Sequence, residues 1–178
     1  MYVISQESVP DEALLKTYRG GTHPERWSGY GDCFAVTVDQ TVGLEEFVYC
    51  FYTSSVFRIE RGILTFLAGS PSRDEDARAV ADGSGRTFAV WRVGERTATQ
   101  LLMCDRYERT RSWFRVVPMD GGSTRLQFGS AVAVRHEQHT VTSQRSGSPG
   151  LLLRFHLLYS RILLHCAKKR VIQRAEHG

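Results

Sequence analysis

The sequence predicts an α+β domain in which an antiparallel sheet embraces a long C-terminal helix, and three observations carry that prediction. Apolar residues recur at helical spacing between residues 44 and 66, and the period drops to two from Thr87 onward. The most apolar stretch, LLLRFHLLYSRILLHCAKKRV at 151 to 171, comes last. A chain of 178 residues suits one domain, which at this size buries roughly 70% of its unfolded surface. Hydrophobic and charged contents of 42% and 24% fit a globular chain whose core needs no metal or disulfide staple.

Residues 1 to 31, which include YRGGTHPERWSGYGD, read as an irregular lead-in that packs through Tyr18, Trp27 and Tyr30; residues 32 to 172 form the domain, and 173 to 178 a tail. CFAVTVDQ alternates as a strand, with Phe34, Val36 and Val38 on one face and Cys33, Ala35 and Thr37 on the other. Leu44, Phe47, Val48 and Phe51 fit one helical face, with Glu45 and Glu46 in the first turn, where negative charge is favoured. Val56, Ile59, Ile63 and Phe66 repeat the period after Ser54 and Ser55. Ser72 followed by Glu75 reads as a capping box for a short third helix that stops near Gly83.

TFAVWRV, ATQLLMC, RSWFRVV and TRLQFGSAVAV then read as successive strands, separated by GER, the charged DRYERT and the DGG turn. An antiparallel meander follows from that order. RHEQHTVTSQ extends the last strand or adds one, and RSGSPG is a loop before a helix that starts near Leu151.

That final helix does not read as a membrane span. A span needs about 20 mostly apolar residues, and each arginine near its centre costs on the order of 3 kcal/mol, whereas Arg154, His156, Arg161 and His165 interrupt this run. Arg154, Arg161 and Lys168 lie seven apart on one polar line joined by His165, opposite a face of Leu151, Leu152, Phe155, Leu158, Tyr159, Ile162, Leu163 and Cys166. Leu153, Leu157 and Leu164 lie beyond that line, so the helix is expected to be covered around most of its circumference. Peripheral membrane contact stays open, since a helix lying on a bilayer shares the broad apolar face.

The net charge of +4 is concentrated: six basic residues from Arg154 to Arg174 against Glu176 leave −1 for residues 1 to 150. Nucleic-acid grooves usually draw basic residues from several elements, so nucleic acid is not expected as a partner. Cys33, Cys50, Cys104 and Cys166 are far apart with no C-x-x-C spacing and read as buried free thiols. MYVISQESVPDEALLK lacks a basic n-region and an unbroken apolar h-region, which places the protein in the cytoplasm.

The order of one strand, two or three helices, an antiparallel run and a long last helix resembles the helix-grip fold of the START-like superfamily, also called SRPBCC or Bet v 1-like. FVYCFYTSSVFRIERGIL, RTRSWFRV and FHLLYSRILLHCAKKRV resemble segments of a bacterial family of uncharacterised proteins within that superfamily, over about residues 30 to 172. The resemblance implies a curved sheet around the last helix, with a cavity between them for an apolar or amphipathic small molecule or lipid. The capped helix at 72 to 81 is an addition to the plain superfamily pattern.

Strand alternation supplies lining candidates without saying which face is concave. They are Trp91, Met103, Trp113, Phe128 and Tyr159, with Arg111 as a candidate anchor for a carboxylate or other anion; core packing is the simpler account of each of these large side chains and is ranked ahead of ligand contact. Arg111 also suits solvation, or pairing with Glu108 or Asp105.

HEQH, His136 to His139, does not fit a zincin pair, which needs histidines four apart on a helix, and reads as a solvated loop. Glu60 and Arg61 could set a carboxylate at a cavity mouth, though a surface ion pair explains them. No nucleophilic triad or phosphate loop is readable, and no cofactor is expected. Three functions therefore stand: a binder of a hydrophobic or amphipathic molecule, a cyclase- or hydrolase-like enzyme using the same cavity, and an interaction module docking through its basic end, Lys168 to Arg174, on an acidic surface. A homodimer is compatible with all three.

Overall fold

A computed structural model describes residues 3–21, 31–69, 71–133 and 149–175, with the backbone alone for 60, 63–68 and 149–157. The elements in chain order are β1 (Ser5–Glu7), α1 (Leu14–Thr17), β2 (Gly31–Val38), α2 (Leu44–Tyr52), α3 (Ser55–Ala68), α4 (Asp74–Asp82), β3 (Thr87–Phe88), β4 (Trp91–Arg96), β5 (Gln100–Asp105), β6 (Thr110–Pro118), β7 (Thr124–Val132) and α5 (Pro149–Ala175). Among the described residues the seven strands form one antiparallel sheet in the order β1-β2-β7-β6-β5-β4-β3. The sheet is curved and unclosed and packs against α5, which is the helix-grip arrangement.

Two apolar layers sandwich that sheet. On the helical side Phe34, Val36, Leu101, Met103, Phe114, Leu126 and Phe128 meet α2 through Phe47 and Phe51, and α5 through Leu163, Leu164, Ala167 and Val171. Aromatic rings dominate: Phe51 lies 4.8 Å from Phe114 and 4.6 Å from Phe128, and Tyr52 lies 4.7 Å from Phe88. Such pairs contribute about 0.5–1.5 kcal/mol beyond their buried area. On the other side Val9, Ala13, Leu14 and Leu15 cover Cys33, Leu102, Cys104, Trp113 and Ala131. The segment read as an irregular lead-in thus supplies an edge strand, a helical turn and a second small core; Tyr18 packs there, while Trp27 and Tyr30 lie outside the described residues.

Several local expectations change. Thr87–Val93 is a hairpin of β3 and β4, because Ala89 takes a left-handed φ of 52° and turns the chain. GER belongs to β4, where the register shifts between Val93 and Glu95. The third helix starts at Asp74: Asp76 Oδ2 accepts from the Arg73 N–H at 2.7 Å, and the buried Ser72 hydroxyl has no protein partner among the described residues. On α2 the expected face is buried together with Cys50 and Tyr52, but on α3 Phe57 is buried and Ile59 is exposed.

From residue 158 to 175 the final helix is covered on one side only. Ser160, Leu163, Leu164, Ala167, Lys168 and Val171 are buried, whereas Leu158, Arg161, Ile162, His165 and Lys169 are exposed. Lys168 therefore leaves the expected polar line, and Leu158 and Ile162 leave the expected buried face. No helix among the described residues is long and apolar enough to cross a membrane.

Candidate functional site

Cross-strand register explains where space opens between sheet and helix. On the helical face one row runs Leu101, Phe114, Phe128, Phe34, and the adjacent row runs Met103, Ser112, Ser130, Asp32. Residues directly opposite one another share a sheet face, so two phenyl rings in the first row give way to two hydroxymethyl groups in the second. Those short side chains leave room below α5. A pocket of about 230 Å³ lies there.

Its walls are aromatic and its polar groups few. Phe51, Tyr52 and Phe57 come from the α2–α3 corner, Trp91 from the start of β4, Phe128 from β7, and Tyr159 and Leu163 from α5. Thr110, Ser112, Ser130 and Ser160 add hydroxyls. The Ser130 hydroxyl donates to Asp32 Oδ1 at 2.7 Å, the same oxygen accepts from the Ser130 N–H at 2.9 Å, and both residues are buried. Thr110 Oγ1 donates to Asp105 Oδ2 at 3.3 Å, which ties the pocket edge to a turn that Asp105 also holds through the N–H groups of Tyr107 and Arg109. The indole Nε1 of Trp91 is buried and finds no acceptor among the described residues.

Of the residues singled out from sequence, the structure brings Trp91, Phe128 and Tyr159 together around the pocket. Met103 is on the same sheet face but is enclosed in the core. Trp113 is on the opposite face, fully buried over Gly129, and its Nε1 donates to Gln100 Oε1 at 2.8 Å. Odd-numbered β6 positions point that way, so Arg111 borders the pocket from its strand while its guanidinium is directed to the other side. There it donates to the carbonyls of Tyr18 at 3.4 Å and Gly20 at 3.0 Å, and lies 4.9 Å from the Tyr18 ring centroid.

Burial holds the Arg111 pKa below the usual arginine value, offset by the nearby Cys104, Tyr18 and Glu108. Glu108 itself pairs with Arg92 at 3.0 Å. Arg111 thus fastens the N-terminal segment to the sheet.

The hydroxyl row and the α2–α3 aromatics were missed by sequence reasoning. The available signal was Ser112 and Ser130, small polar residues in strands otherwise rich in large apolar ones, which become informative once the strands are in register. Outside the pocket, Arg61 pairs with Asp74 at 2.7 Å, and Arg58 pairs with it too. His136 to His139 lie outside the described residues, and among those described no cluster of His, Cys, Asp and Glu could hold a metal ion. At the basic end, Lys168 is buried and Arg174 lies over the Tyr49 ring at 5.3 Å, so the cations do not form one exposed row.

Comparison of the chain with family models, with curated proteins and with solved structures returns no match, so the helix-grip assignment rests on strand order and on the packing of α5.

Proposed function

We propose that this protein is a START-like binder that holds a small apolar or amphipathic molecule between the sheet and α5. The observation that carries the reading is the exchange of phenyl for hydroxymethyl at Ser112 and Ser130, which leaves an aromatic-walled space in an otherwise close-packed core. Its volume of about 230 Å³ exceeds the ~150 Å³ of an apolar cavity that takes benzene, and is below the roughly 300–1,000 Å³ of drug-sized sites. A single substituted ring is the size that fits, which favours a small molecule over a whole lipid chain.

Binding is preferred to catalysis because the pocket is walled mainly by rings and hydroxyl-bearing residues, while Asp32, the carboxylate of the hydroxyl row, is engaged by Ser130 through two hydrogen bonds. Native mass spectrometry of freshly purified protein, repeated after denaturing release, tests the reading. A defined small-molecule mass that travels with the folded chain and leaves on denaturation is expected. A clean apoprotein mass, together with no uptake of added single-ring compounds, would oppose it.

A further inference from the structure

The polar groups around this pocket are not equivalent, and their hydrogen bonds sort them. Trp91 Nε1 is enclosed by protein, and the Arg111 guanidinium donates to the Tyr18 and Gly20 carbonyls on the other sheet face, so neither is offered to the space. Ser160, on α5, is almost wholly enclosed. The Thr110 hydroxyl donates to Asp105 Oδ2 at 3.3 Å, and the Ser130 hydroxyl to Asp32 Oδ1 at 2.7 Å. A hydroxyl carries a single proton, so neither of these two has one left to donate. Ser112 differs. It stands two residues after Thr110 on the same face of β6 and directly opposite Ser130 on β7. It is half-buried, and its hydroxyl makes no hydrogen bond among the described residues.

We infer, resting on the reading of this pocket as a ligand site, that Ser112 is its specificity-determining residue and that the ligand is a ring carrying a hydroxyl, a phenol in chemical class. The sheet presents one uncommitted hydroxyl, Ser112, beside a second, Thr110, that can only accept. A phenolic O–H donates to such a pair while its oxygen accepts from Ser112, so a ring hydroxyl completes the row. A carbonyl accepts but cannot donate, and leaves the Thr110 lone pairs unmet. A methyl group of the same size sets an apolar atom against the Ser112 hydroxyl, and a polar group left unpaired in this way is what lets a site reject an analogue that lacks the partner. The ring itself lies among Phe51, Phe57 and Phe128.

Calorimetric titration of the full chain with phenol, toluene and benzaldehyde is the test. Phenol and toluene match in size and differ in the hydroxyl, and benzaldehyde carries an acceptor alone. Phenol is expected to bind several-fold more tightly than either of the others. Ser112→Ala should lower the ratio of phenol to toluene affinity several-fold, whereas loss of a merely structural serine would weaken both probes alike. Equal binding of phenol and toluene, benzaldehyde binding as tightly as phenol, or an unchanged ratio in Ser112→Ala overturns the inference and leaves the binding reading standing. Binding of none of the three overturns both. Should Ser112→Ala fold poorly, the order of the three probes on the unaltered protein decides the matter alone.

Discussion

Gly129 shows how closely one residue can tie the two sides of this sheet to the strand register. A Cβ at this position would lie 2.7 Å from the Asp32 carbonyl oxygen and 2.9 Å from Trp113 Cε3, so the bare backbone is what lets the indole lie flat on β7. Gly129→Ala is expected to lower stability by about 1–3 kcal/mol in urea unfolding, the usual cost of forcing atoms into a packed site. An unchanged midpoint would show that Trp113 is not seated there.

At the same scale Ser112 sets the pocket. Ser112→Leu should fill the space, abolish uptake of single-ring compounds and leave the unfolding midpoint within about 1.5 kcal/mol of its starting value. Retained binding in that variant would place the ligand elsewhere. Alternation along RSWFRVV showed that Arg111, Trp113 and Arg115 share a face but not which face. The ambiguity arose because both faces are covered, one by α2 and α5 and the other by the N-terminal segment, so neither face shows the polar pattern of an exposed surface.

Among the elements, α4 is held at both ends by charge. Asp74, in its first turn, accepts from Arg61 at 2.7 Å and from Arg58, while Arg96 of β4 donates to the Val80 and Ala81 carbonyls at 3.0 and 2.6 Å near its C-terminus. Burial alone would raise the Asp74 pKa, but hydrogen bonds and charge from Arg61 and Arg58 outweigh it and hold the carboxyl below its ordinary 3.8. A lowered folded pKa means that the unfolded chain takes up the proton first as pH falls. The carboxylate's contribution is therefore complete above about pH 4 and is lost as pH drops through the folded value.

Asp74→Asn should cost about 1 kcal/mol at pH 7 and progressively less below pH 4, as read by urea unfolding across that range. A cost independent of pH would remove charge as the cause. The helix itself was legible from its acidic start and its Gly83 stop, where φ is 90°. Its cap was misplaced by one residue, because Asp76 and Glu75 are equally good N3 carboxylates on paper. The β3–β4 hairpin was illegible for a different reason: Ala89 and Val90 carry no turn chemistry, and the left-handed Ala89 is imposed by pairing of the flanking strands.

Over the whole molecule the two layers that bracket the sheet also shield the thiols. Cys33 and Cys50 are buried, and burial pushes each thiol up to about 11; the Cys104 thiol is raised by burial as well. Cys166, on α5, is partly exposed. In the folded protein at neutral pH a thiol reagent should therefore label Cys166 first and reach the other three only on unfolding, as peptide mass spectrometry would show. Equal early labelling of Cys33 would mean that the N-terminal segment does not cover its side of the sheet.

Element order was readable because hydrophobic period survives in long segments, and it was enough to predict the fold class. The pocket was less readable, since it depends on which side chains stand opposite one another across β5, β6, β7 and β2, and register is a property of the assembled sheet. The central claim, the proposed apolar ligand site under α5, is tested most directly by soaking crystals with bromobenzene and locating bromine by its anomalous scattering. The account predicts one dominant bromine site in contact with Phe51, Trp91, Phe128, Tyr159 and Leu163. Bromine found only elsewhere, or side chains closing that space, would contradict it.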